Sequence, residues 1–172
     1  MEISSNKTVN AFISRTILEV LSPYGMDFER IFTFSVYMQM IIVKSCFPLQ
    51  SKAEKAINEI LSYWINDINN SKNGEAEINN DELDNLYRAN TDLMTGIYDD
   101  VWNNASNDSP WIEEWNHLCI KACNKKKSPT QNCIELISAL NVHLEASYNE
   151  LITILYLLKK TLQTEFVSYE EA

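Results

Sequence analysis

Residues 128–166 read SPTQNCIELISALNVHLEASYNELITILYLLKKTLQTEF, and the apolar spacing in this stretch decides the fold class. Ser128 stands where a hydroxyl can accept from the first free amides of a helix. Pro129 suits the first helical position, and Gln131 completes a capping-box spacing. Ile134, Ile137, Leu144, Tyr148, Leu151, Leu155, Leu158 and Leu162 then recur at helical intervals, with Asn141 as the polar interruption. Leu136, Leu140, Ile154 and Leu157 widen the apolar face. No Gly or Pro follows Pro129. The pattern predicts one C-terminal helix over about 129–166, roughly 55 Å long at 1.5 Å per residue, against which the other helices pack. Residues 167–172 are expected to fray.

Upstream, the same periodicity marks further helices. Val9, Phe12, Ile13, Ile17, Val20 and Leu21 form one, ended by Ser22-Pro23-Tyr24-Gly25. A second runs from Asp27 to about Ser45 and contains the most apolar run of the chain, Ile31 to Val43. That run is too short to cross a bilayer and reads as a buried core helix. Ser51-Lys52-Ala53-Glu54 has capping-box spacing and opens a third helix with Ala56, Ile57, Ile60, Leu61, Trp64 and Ile68 inward. Residues 69–79 are polar and read as a loop. From Asn80 a fourth helix presents Leu83, Leu86, Tyr87, Met94, Ile97 and Val101 on one side, and Ser109-Pro110 starts a fifth with Trp111, Ile112, Trp115, Leu118 and Ala122.

Three glycines and four prolines among 172 residues leave little provision for tight turns, which disfavours an all-β chain. Hydrophobic residues make up 45% of the chain, which excludes disorder. The expected architecture is a single all-α domain over 1–172, a bundle of about six helices around the long C-terminal one. The N-terminus lacks the basic start and apolar stretch of a signal peptide, so a cytoplasmic location is expected, with no membrane partner.

Charge is the informative feature. The formal net charge is −10, and residues 1–74 and 115–172 are each neutral. The whole excess falls in residues 75–114, where eleven acids face Arg88 alone. Projected at 100° per residue on one helix, Asp81, Asp84, Asp92 and Asp99 share a face opposite the apolar stripe. Solubility alone is served as well by interspersed lysines, whereas an acidic field steers a basic partner. Aromatic residues beside charge are typical of binding surfaces. The predicted partner-binding set is Glu75, Glu77, Asp81, Glu82, Asp84, Asp92, Asp99, Asp100, Trp102, Asp108, Trp111, Glu113 and Glu114, with Trp115 close by.

Catalytic and metal signatures are weak. Glu114-Trp115-Asn116-His117 has the Glu-x-x-His spacing of di-iron bundles, but His143 has Leu140 three residues before it, so a second half is missing. Cys119, Cys123 and Cys133 with His117 have the number of soft ligands zinc uses, yet His117 and Cys119 point about 200° apart on a helix. Packed thiols are the expectation, with a Cys123–Cys133 disulfide as the alternative under oxidising conditions. No glycine-rich loop cradles a phosphate, and the charge disfavours nucleic acid as a partner.

No cofactor and no catalytic residue is therefore expected. The sequence predicts a non-enzymatic acidic binding protein of the immunity type, an inhibitor that neutralises a basic bacterial toxin. The toxin would be a nuclease such as an RNase of a contact-dependent-inhibition system, because a nuclease site is cationic and an acidic protein blocks it. The alternatives are a secretion chaperone, which needs a large exposed apolar groove, and a helical metal-binding enzyme using Glu114, His117 and the cysteines.

Overall fold

A run of thirteen uncharged residues that is apolar on every side cannot present a face to water, so Ile31 to Val43 has to be surrounded. In the computed structural model it is buried from Phe34 to Val43, apart from the half-buried Tyr37. The structure describes residues 11, 13–15, 28–70, 80–102, 110–144 and 148–171. The run lies in α1 (Phe28–Cys46), which is followed by α2 (Gln50–Asn70), α3 (Asn80–Ala89), α4 (Thr91–Trp102), α5 (Pro110–Ala122), α6 (Pro129–Leu144) and α7 (Tyr148–Glu171). Residues 11 and 13–15 are also helical, and no strand occurs among the described residues. The protein is an all-α helical bundle.

Phe34, Val36, Met38, Met40, Ile41, Ile42 and Val43 are all buried, and these positions point in every direction around the axis of α1. Among the described residues five helices pack on it, α4, α5 and α6 most extensively, α2 and α7 less so. The hub of the bundle is thus α1. The C-terminal stretch, expected to be one central helix over 129–166, divides instead into α6 and α7, with residues 145–147 between them outside the described residues. The two parts share α1 and α2 as neighbours but weight them differently. α6 packs on α1 and α2, whereas α7 packs chiefly on α2 and also reaches α4, α3 and α1. α7 continues through Glu171, so the tail expected at 167–172 is helical through 171, and residue 172 lies outside the described residues.

Local chemistry explains the other boundaries. Ser128 caps α6 as expected, its Oγ accepting from the Gln131 amide at 3.1 Å. α2 begins one residue before the expected cap, with the Ala53 amide bonded to the Leu49 carbonyl at 3.0 Å, so Ser51 lies in the first turn rather than capping it. Asn69 and Asn70 belong to α2, and residues 71–79 lie outside the described residues. The fourth helix breaks at Asn90. Its amide is shared between the carbonyls of Leu86 and Tyr87 at 3.1 and 3.0 Å, its Nδ2 donates to Leu86 at 2.8 Å, and Thr91 Oγ1 donates to Tyr87 at 3.0 Å. Side chains that take the last carbonyls of a helix end it there.

α7 carries the second half of the core. Leu151, Ile152, Ile154, Leu155, Tyr156, Leu157, Leu158 and Leu162 are buried in the same cluster as the α1 residues. Leu151 is 2% exposed. Leu151→Ala is expected to cost about 2–5 kcal/mol through lost transfer energy and the cavity left behind. Denaturant titration reads this directly, and a loss below about 0.5 kcal/mol would mean that α7 projects free of the core.

Candidate functional site

The predicted acidic surface is spread over α3, α4 and α5. Because the helix breaks at Asn90, Asp81 and Asp84 lie on α3 and Asp92 and Asp99 on α4, rather than on the one continuous helix of the projection. Asp81, Glu82, Asp92, Glu113 and Glu114 are exposed, and Asp84, Asp99 and Asp100 are half-buried. Glu75, Glu77 and Asp108 lie outside the described residues, and Trp111 is placed in the first turn of α5. Asp81 and Glu82 open α3, Asp92 opens α4 and Glu113 opens α5, so each complements the positive end of its own helix.

Two of the carboxylates turn inward and hold the fold. Tyr37 of α1 donates its hydroxyl to Asp100 of α4, and Tyr156 of α7 donates to Asp84 of α3. Burial pushes the Tyr37 phenol above its ordinary range, and the Asp100 hydrogen bond adds to this. Tyr156 is pushed up to about 12, first by burial and then by Asp84. The Tyr156 hydrogen bond in turn holds the Asp84 carboxyl below the ordinary carboxylate range, helped by Lys160, whose Nζ lies 3.6 Å away. Lys44 reaches from the end of α1 to donate to the Val101 carbonyl at 2.6 Å, placing a cation at the negative end of α4, 5.9 Å from the Trp102 ring centroid. Burial lowers the pKa of Lys44.

Trp102 is no surface anchor. Its side chain is 9% exposed, stacked on Tyr98 with ring centroids 6.2 Å apart, inside the core. Trp115 is fully buried and donates its indole N–H to the Met38 carbonyl at 3.1 Å. Trp102 and Trp115, beside charge in sequence, are here on the buried faces of amphipathic helices.

The Asp84–Tyr156 bond gives a pH expectation. Asp84 is depressed in the folded state, so its contribution is present above the ordinary carboxylate value near 3.9 and is lost as pH falls through the folded value. Tyr156 is raised, so its contribution is present below about 10 and is lost as pH climbs through 10 toward 12. Tyr156→Phe should therefore flatten the alkaline limb of the stability profile between about pH 10 and 12. Urea midpoints measured from pH 9 to 12 on both proteins check this, and parallel limbs would remove Tyr156 from the account.

Glu114 pairs with Arg15, while the exposed His117 lies 3.8 Å from Glu113, so the Glu-x-x-His residues turn to different partners. Among the described residues no group of three or more His, Cys, Asp or Glu side chains is arranged to hold a metal ion. No single described helix is long and apolar enough to cross a membrane. A groove of about 520 Å³ opens between α2 and α6, lined by Tyr63, Trp64, Lys127, Asn132, Val142 and His143 among others, and none of the predicted site residues borders it. Tyr63 and Val142 are exposed at its rim.

One residue that sequence reasoning left out is Cys46. At the end of α1 it meets Cys123, which follows α5, with the sulfurs 3.8 Å apart. Cys133, the alternative partner of Cys123 under oxidising conditions, is a neighbour of Cys46. The signal is slight, a cysteine in the last turn of an apolar helix.

The fold and these groupings define an all-α helical bundle with carboxylates at the starts of three successive helices. Comparison with protein-family models, with curated proteins and with solved structures finds no match for this chain.

Proposed function

We propose that the chain is a non-enzymatic binding protein that meets a basic protein partner with its acidic segment, as an immunity protein does when it neutralises a cationic nuclease toxin of bacterial origin in the cytoplasm. The observation that carries the reading is the charge imbalance in residues 75–114, eleven acids against one base in a chain otherwise neutral. The fold leaves Asp81, Glu82, Asp92, Glu113 and Glu114 exposed, enough to set up an attractive field for a positive surface. The inward-turned Asp84 and Asp100 act differently, by fixing α3 and α4 against α7 and α1. Steering of this kind raises the rate of encounter more than it tightens the final complex.

The test is a growth-rescue experiment. The reading frame immediately upstream of this chain's gene is expressed in a bacterial host with and without the chain. Arrest by the upstream product alone, and recovery on co-expression, is the expected result. Arrest that co-expression leaves untouched, or an upstream product with no toxicity and no affinity for the purified chain, contradicts the reading.

A further inference from the structure

The chain has four cysteines, all free and all described. They come from three helices and gather at one end of the bundle. Cys46 is the last residue of α1, Cys119 lies in α5, Cys123 directly follows α5, and Cys133 is in the first turns of α6. Cys46 Sγ and Cys123 Sγ are 3.8 Å apart. Cys119 and Cys133 are fully buried, Cys46 is 9% exposed, and Cys123 is half-buried and the outermost of the four. The Cys123 thiol donates to the Cys119 carbonyl at 3.2 Å.

From this geometry we infer that Cys46 and Cys123 are an oxidisable pair, a site of reversible disulfide formation whose co-reactant is a small-molecule disulfide of the glutathione class. A disulfide bond is about 2.05 Å long, so the sulfurs have to approach by less than the length of one side-chain bond swing. Cys123 lies just beyond the end of α5, half-buried, and it is the thiol an outside reagent reaches first. The steps balance. The Cys123 thiolate attacks one sulfur of the reagent, forming a mixed disulfide and releasing one thiolate. The Cys46 thiolate then attacks Cys123 Sγ, forming the internal bond and expelling the second thiolate. Two protons leave the cysteines, two electrons pass to the reagent, and two small thiols are the products.

The hydrogen bond with Cys46 and burial push the Cys123 thiol above its ordinary value, and burial does the same to Cys119. Both effects keep Cys123, the attacking group, as a thiol at neutral pH. The reaction is therefore slow there and accelerates with pH, since the thiolate is the attacking form. The product links positions 77 residues apart and staples the end of the hub helix to the end of α5. Closing so long a loop restricts the unfolded chain and stabilises the fold.

The full chain is incubated with oxidised glutathione at pH 8.5 and pH 7, then quenched and alkylated with iodoacetamide. The expected result is a mass lower by about 2 Da before alkylation, two thiols alkylated instead of four, and a proteolytic fragment joining Cys46 to Cys123. The thermal midpoint should rise by roughly 5–15 °C and return on reduction. Cys46→Ser and Cys123→Ser should each abolish the internal bond, and Cys133→Ser should leave it. Four thiols intact after oxidation, a persistent mixed disulfide, or a fragment joining a different pair overturns the proposal. Near-equimolar zinc retained on the thiols of purified protein also overturns it, because liganded sulfurs are then the ground state. The measurement on unaltered protein decides the matter even where a variant fails to fold.

Discussion

Replacing Trp115 by Ala lowers the free energy of unfolding by about 3–5 kcal/mol, the usual cost of deleting a fully buried indole. The side chain is 0% exposed and inserts from α5 against the hub, where its N–H meets the Met38 carbonyl at 3.1 Å. Most of the loss comes from the cavity, because α1 is held from several sides and cannot collapse into the space. Trp115→Phe separates the two contributions. It keeps much of the ring volume and removes the donor, so it should cost only about 1–2 kcal/mol. For a chain of this length the Ala variant should melt roughly 6–20 °C lower. A loss below about 1 kcal/mol in denaturant titration would place the indole outside the core and take α5 off the hub.

The helical content was legible because periodicity is a local property. Val36 to Val43, Ala56 to Trp64 and Leu151 to Leu162 are buried where their spacing puts them, and Ser128 caps the helix it precedes. The choice of central helix was not legible in the same way. Length and regularity drew attention to residues 129–166, but the element that has to be central is the one with no polar face, and that is Ile31 to Val43. The division of the C-terminal stretch left a trace in Ser147 and Glu150, which have capping-box spacing within an otherwise unbroken apolar pattern. Asn90-Thr91 is the corresponding trace in the fourth helix. Both were outweighed by apolar residues that continued in phase on either side.

The acidic segment was visible as composition, but the division of labour within it was not. Asp84 and Asp100 differ from Asp81 and Asp92 in having a tyrosine that donates to them, and Tyr156 and Tyr37 are 72 and 63 positions distant in the chain. No local pattern reports a partner that far away. The same holds for Cys46 and Cys123, which meet across 77 positions. Trp102 misled for the opposite reason. A tryptophan next to acids in sequence occupies the other side of the same helix, and in α4 that side is the core.

The second large effect concerns the field of the exposed acids. Asp81, Asp92 and Glu113 are exposed, lie on three different helices and have no buried tyrosine attached. Reversing all three to Lys adds two units each and takes the formal charge from −10 to −4. Each reversal places a cation in the first turn of a helix, at about 0.3–1 kcal/mol, which is small beside the 5–15 kcal/mol that stabilises an ordinary domain. The variant should remain folded, with an unchanged far-ultraviolet spectrum. Its association with a basic nuclease partner should slow by about 10-fold or more at low salt. Dissociation should change less, because charges at the edge of an interface act mainly on encounter. The gap should close as salt rises, since the Debye length falls from about 10 Å at 0.1 M to about 3 Å at 1 M. The decisive measurement is the association rate of wild type and triple variant with that partner across this salt range. Rates that differ about 10-fold at low salt and converge at 1 M are the predicted result, and equal rates throughout would contradict the claim that residues 75–114 recruit a basic partner.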